Sequence, residues 1–126
     1  VFSKRGDRPK ATFGDSRLEN LGKDFAGSAM QPFVVHLDPG AGSGERMILH
    51  TGAEFVYCLN GKVIYWIEDD EYLLEPGDSL LFEAHLPHRW MNRYAEQADI
   101  LLILLPADER DAPGGRHFTE IQELKR

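Results

Sequence analysis

The chain has 126 residues, 42% hydrophobic and 28% charged, which suits one globular domain with a buried core and excludes a disordered tail. Its formal charge of -7 gives it no general attraction for a phosphate backbone, so any contact with DNA has to come from another segment. Cys58 is the only cysteine, which excludes an internal disulfide, and the longest apolar run, Ile100 to Leu105, is far short of the ~20 residues that cross a bilayer.

The chain opens at Val1 without a methionine and without the apolar stretch of a signal peptide, as expected of a cytoplasmic protein or of a piece of a longer one. The basic cluster SKRGDRPK reads as a solvated arm. From there on the sequence is a series of short β-rich segments broken by turn residues, and strands are predicted at 33–38, 46–50, 54–59, 62–68, 71–74, 79–83, 88–92 and 99–105. No apolar pattern of helical period is long enough for an α/β domain, so the fold class is all-β. Asn60-Gly61 is the signal of a two-residue hairpin, which predicts Cys58 opposite Val63, Val56 opposite Tyr65 and Glu54 opposite Ile67. One face of that pair carries Glu54, Val56, Cys58, Val63, Tyr65 and Ile67, with Cys58 expected as a buried core thiol. The other carries Phe55, Tyr57, Leu59, Lys62, Ile64, Trp66 and Glu68. Both faces are apolar enough to need covering, the first by a barrel interior and the second by another sheet or a second subunit, so a homodimer is expected. Residues 107–126 begin as a polar linker; Phe118, Ile121 and Leu124 then recur at helical spacing, favouring a short amphipathic helix over a short strand or a disordered tail. The expected organisation is an N-terminal arm with first strands over 1–31, a barrel over 32–106 and a tail over 107–126.

Glu54 is the informative residue of its face, because an ionised carboxylate aimed into an apolar interior is costly unless a cation or hydrogen-bond donors meet it. His50 has matching parity across the turn Thr51-Gly52-Ala53, and His88 can close the set from another part of the barrel. Two imidazoles and one carboxylate can occupy one face of an octahedral metal and suit iron, manganese, nickel or zinc. The competing reading makes His50 and His88 neutral, hydrogen-bonded interior histidines, with Glu54 bonded to one of them or to Tyr65.

The stretch GSGERMILHTGAEFVYCLNG places Gly42, His50, Glu54 and Gly61 at the spacing G(x)5HxH(x)3-4E(x)6G, with Ile48 at the first histidine position. GDSLLFEAHLPHRWMN places Gly77, His88 and Asn92 at the spacing G(x)5PxG(x)2H(x)3N, with Glu83 and His85 replacing its proline and second glycine. In these two motifs the chain resembles the cupin superfamily, which implies a small double-stranded β-helix, the jelly-roll barrel. FSKRGDRPK, MQPFVVHLDPG, EFVYCLNG, LEPGDSLLFEAHLPHRWMN and ADILLILLP extend a closer resemblance over roughly residues 2–106. They resemble the sensory cupin half of XRE-type helix-turn-helix transcriptional regulators. That resemblance implies a small-molecule effector, dimerisation, and DNA binding only through a helix-turn-helix outside this chain. The spacing His50-x3-Glu54 with a distant His88 is also similar to that of hydroxypropylphosphonic acid epoxidases, which hold non-haem iron through two histidines and a glutamate.

Three functions follow for testing: an effector-sensing and dimerising domain, a mononuclear non-haem metal enzyme, and a metal-free dimerisation barrel. Ile48, Val56, Tyr65 and Trp90 are expected to line a pocket for a small ligand beside the metal ligands. Tyr65 is the one nearby group suited to proton or radical chemistry. His85 is an alternative ligand, though better read as a loop histidine. Arg46 and Arg89 are candidate partners for an acidic effector, although parity turns Arg89 away from His88. Asn92 is expected to hold a strand end. His36 and His117 carry no functional expectation.

Overall fold

The computed structural model describes residues 1–23, 25 and 29–107, and the backbone of 122–124. In chain order its strands are β1 (Lys10–Phe13), β2 (Ser16–Asn20), β3 (Gln31–Leu37), β4 (Met47–Leu49), β5 (Ala53–Asn60), β6 (Val63–Ile67), β7 (Asp70–Leu74), β8 (Ser79–Glu83), β9 (His88–Met91), β10 (Ala98–Leu105) and β11 (Gln122–Leu124). They form one sheet in the order β1-β2-β3-β10-β5-β8 and a second in the order β11-β4-β9-β6-β7, all antiparallel. Alternation builds the core. Along β10, Ala98, Ile100, Leu102 and Leu104 are buried while the residues between them are half-buried. Phe33, Val35, Leu37, Val56 and Cys58 from the first sheet join Val63, Tyr65, Leu74 and Trp90 from the second in one cluster.

The expected β5–β6 hairpin is not formed. Both edges of β5 are already occupied, by β10 and by β8, while β6 pairs with β7 and β9 across the barrel. Glu54 therefore lies opposite Leu104 and Phe82, not Ile67, and Tyr65 lies opposite Trp90 and Tyr72, not Val56. Asn60-Gly61 instead carries the chain from one sheet to the other. Gly61 has φ 68 and passes so close to β10 that a Cβ would come within 2.5 Å of the Gln97 carbonyl oxygen. The two-residue hairpin lies one strand later, where Glu68 and Asp69 join β6 to β7 and Glu68 itself takes φ 52. The expected inward face is nevertheless observed. Glu54, Val56, Cys58, Val63, Tyr65 and Ile67 are all buried, because facing strands of a barrel aim alternate side chains at the same interior.

The opposite face is covered only in part. Ile64 is buried, but Tyr57 and Leu59 are 39% and 42% exposed and Leu81 beside them is 67% exposed. At the C-terminus, Gln122–Leu124 form strand β11 against β4 instead of part of a helix; Phe118 and Ile121 lie outside the described residues. β1 and β2, in the 1–31 segment for which no strand bounds are predicted, add to the first sheet through β3. Asn92 does hold a strand end, donating from Nδ2 to the carbonyls of Leu37 (3.0 Å) and Glu96 (2.7 Å).

Candidate metal centre

His50 follows β4 directly, Glu54 is the second residue of β5, and His88 opens β9. Gly52 makes the turn between the first two possible. It has φ 82, and a Cβ there would come within 2.0 Å of the Leu105 carbonyl oxygen. Backbone bonds from His50 to Ala84 (3.0 Å) and from Ala84 to Gly52 (2.9 Å) pin that turn, so His50 and Glu54 return to the same interior.

One ligand atom from each of His50, Glu54 and His88 lies within 4.8 Å of the others, and all three residues are buried. Oε1 of Glu54 is 3.2 Å from Nε2 of His50 and 3.4 Å from Nε2 of His88. The remaining ring nitrogens are turned outward: Nδ1 of His50 faces the Thr51 carbonyl at 3.1 Å, and Nδ1 of His88 faces the Leu86 carbonyl at 2.7 Å. A carbonyl only accepts, so each Nδ1 donates outward and it is Nε2 of each ring that faces the Glu54 carboxylate, with His50 Nε2 within hydrogen-bond distance of Oε1. Two ring nitrogens and a carboxylate oxygen thus converge on one point, and Nε2 of His88 makes no well-formed hydrogen bond there.

A positive charge has to relieve that convergence. Burial favours neutral His88, but the adjacent Glu54 charge outweighs burial and raises its pKa above the ordinary histidine value. Burial likewise favours protonated Glu54, yet the His88 charge and the His50 contact hold its carboxyl well below the usual carboxylate range. An imidazolium proton is one solution. A divalent cation is another, and two imidazole nitrogens plus a carboxylate oxygen are a fitting donor set for a transition metal.

The other oxygen of Glu54 has its own partner. Tyr65 donates its hydroxyl to Oε2 at 3.1 Å, and burial together with the Glu54 charge pushes the phenol pKa well up, so it stays a donor. The Tyr65 ring stacks on Trp90 (centroids 5.6 Å, 24° apart), whose indole donates to Ser16 Oγ at 3.0 Å and whose ring stacks with Phe13 at 5.7 Å. Ile48, Val56, Tyr65 and Trp90, the expected pocket residues, are all buried in this interior, and Ile48 lies opposite His88 in the register. Three neighbours were not anticipated. Phe82 meets the ring of His88 edge-on at 4.9 Å, and its inward parity on β8 was the available signal. Ser16 and Phe13 belong to strands that no motif marks.

The remaining candidates lie elsewhere. His85 is exposed, with Nε2 3.9 Å from Glu83. Arg46 is exposed, while Arg89 lies over the Trp66 ring at 4.4 Å and donates to the Gly44 carbonyl. His36 has partners that the sequence did not disclose: Nε2 meets Glu19 on β2 and Nδ1 meets Asp99 on β10 at 2.7 Å.

The family model for the cupin domain matches residues 33–104. No curated protein matches the chain significantly. Among solved structures, a sugar phosphate isomerase of the cupin superfamily from Silicibacter pomeroyi is 25% identical with TM-score 0.65, over 78% of this chain and 69% of its own. The cupin domain of an XRE family transcriptional regulator from Enterobacter cloacae is 19% identical with TM-score 0.65, over 72% of this chain and 96% of its own. Hydroxypropylphosphonic acid epoxidase from S. wedmorenis, in complex with fosfomycin, is 20% identical with TM-score 0.70. The match covers 83% of this chain but only 59% of the epoxidase. With the family model matched over more than half its length, and two facing antiparallel sheets around one interior, the chain belongs to the cupin domain family.

Proposed function

We propose that this cupin barrel binds a divalent transition metal through His50, Glu54 and His88 and serves as the effector-sensing, dimerising domain of a cytoplasmic helix-turn-helix regulator. The observation that carries the metal is the convergence of one ligand atom from each of three buried residues on a single point, with Nε2 of His88 lacking a hydrogen bond. Iron, manganese, nickel and zinc all suit the set. When bound, the metal would supply Lewis acidity and open positions for a chelating small molecule. The protein supplies the rest: Nδ1 contacts to Thr51 and Leu86 fix the imidazoles, and Ile48, Val56, Tyr65 and Trp90 keep the site dry.

Sensing is favoured over catalysis by what surrounds the ligands. Among the described residues, the buried polar and charged ones are Ser16, Ser43, His50, Glu54, His88 and Asn92. Ser16 serves Trp90, Ser43 the backbone of Trp90, and Asn92 a strand end. Tyr65 is committed to Glu54, so among the buried described residues no further acid, base or cation stands beside the centre to move a proton or neutralise a phosphoryl group. The Enterobacter cloacae regulator domain, matched over 96% of its length, is a precedent of similar extent. Dimerisation is supported by the open apolar face of Tyr57, Leu59 and Leu81. A second reading, a mononuclear metal enzyme, rests on the two-histidine, one-carboxylate set itself, which leaves coordination positions open.

Elemental analysis of protein prepared without chelator, from metal-supplemented medium, tests the proposal. Near-stoichiometric metal lost in both His50→Ala and Glu54→Ala is expected. Metal-free wild type would remove the metal from both readings, and catalytic oxygen consumption by the iron-loaded protein would replace sensing with catalysis.

A further inference from the structure

We propose that Tyr65 is a positioning residue, whose hydroxyl occupies Oε2 of Glu54 so that the carboxylate meets the metal through Oε1 alone. The inference rests on the metal-binding reading above and adds to it the number of positions left for a ligand. The two carboxylate oxygens are already divided in the structure. Oε1 faces Nε2 of both histidines at 3.2 and 3.4 Å, whereas Oε2 accepts from Tyr65 at 3.1 Å. A chelating carboxylate has to turn both oxygens to the ion, which competes with the Tyr65 bond for Oε2 and, where that bond is lost, leaves a buried hydroxyl without an acceptor.

Tyr65 is not free to follow such a turn. It is fully buried, stacked on Trp90 and met edge-on by Phe82 at 6.1 Å. Trp90 is itself fixed by its bond to Ser16 on β2 and by Phe13 on its ring. The hydroxyl is thus held by packing from the N-terminal hairpin inward. Counting positions gives the consequence. In an octahedral ion, two imidazoles and one carboxylate oxygen leave three sites open, enough for a bidentate ligand and a third small molecule. A chelating Glu54 would leave two.

The test uses cobalt(II) and zinc(II) as probes on the wild type and Tyr65→Phe, which removes the donor and keeps the ring. Tyr65→Phe is expected to bind cobalt(II) with affinity altered by about tenfold to a hundredfold, the usual effect of losing an outer-shell partner, and with a changed visible spectrum as Glu54 becomes chelating. Wild-type affinity together with an unchanged spectrum would overturn the proposal. A second measurement needs no variant: the zinc-minus-apo infrared difference of the wild type, with glutamate carboxylates 13C-labelled, should show the wide separation of carboxylate stretches that marks one-oxygen binding. A narrow separation would overturn the proposal while leaving metal binding intact. Failure of the wild type to bind either ion would overturn the metal reading and this inference together.

Discussion

Replacing Glu54 by glutamine should separate metal binding from stability. In the metal-free wild type above the pKa of His88, Oε1 faces Nε2 of both histidines at 3.2 and 3.4 Å, and the unprotonated Nε2 of His88 has no donor. A glutamine amide placed there donates one N–H to each histidine, while its oxygen accepts from Tyr65 in place of Oε2. Each partner is then satisfied and no buried charge remains. Relief of an unsatisfied buried group is worth about 1–3 kcal/mol. At about 4 °C per kcal/mol for a domain of this size, metal-free Glu54→Gln should melt roughly 4–12 °C above the metal-free wild type at pH 9. Metal at a thousand times its dissociation constant adds about 4 kcal/mol to a protein that binds it, so the order should reverse when zinc is added. The pH sign follows from His88. Its pKa is raised in the fold by Glu54 against the effect of burial, so its stabilising contribution is complete below about 6.5 and is lost as pH rises through the folded value. The gap between variant and wild type should therefore widen toward alkaline pH. Calorimetric melting with chelator and with zinc, at pH 6 and pH 9, measures all of this. A metal-free Glu54→Gln protein markedly less stable than the wild type at pH 9, with zinc without effect on either, would refute the reasoning and make the trio an ordinary structural network.

Gly52→Ala should cost more than about 2 kcal/mol in urea unfolding and abolish tight cobalt(II) binding, since φ 82 and a Cβ 2.0 Å from the Leu105 oxygen force the turn that unites His50 with Glu54 to move. Ile48→His, opposite His88 on β4, should add a fourth protein ligand and tighten cobalt(II) binding in a competition titration; unchanged affinity would show that position 48 does not reach the centre. At His36, burial pulls the pKa down but the Glu19 and Asp99 contacts more than reverse it, and Glu19 and Asp99 are themselves depressed. The contribution of this cluster should be full between about pH 4.5 and 6.5, falling as pH rises through the folded value of His36 or drops through those of the carboxylates. The urea midpoint should accordingly decline from pH 6 to 9 less in His36→Gln than in the wild type, and equal slopes would dissociate the cluster from stability.

Local chemistry alone determined the strands from β3 to β10, the inward face of β5 and β6, and the trio of candidate ligands. Alternation is written residue by residue, and the spacing of His50, Glu54 and His88 survives whichever strands pair. Pairing was a different matter. Asn60-Gly61 is locally a hairpin, but β10 and β8 occupy both edges of β5, and that competition exists only once distant segments have met. The same holds for β1 and β2, whose short strands carry too little apolar pattern for their bounds to be read from the sequence and which join the sheet through β3. His36, unremarkable in sequence, acquired two carboxylates because Glu19 and Asp99 arrive on neighbouring strands. Tyr65 stood on the right face from the start. Which oxygen of Glu54 its hydroxyl takes was decided by tertiary packing, because Trp90, Phe82 and the Ser16 hairpin fix a ring that the sequence leaves free to turn.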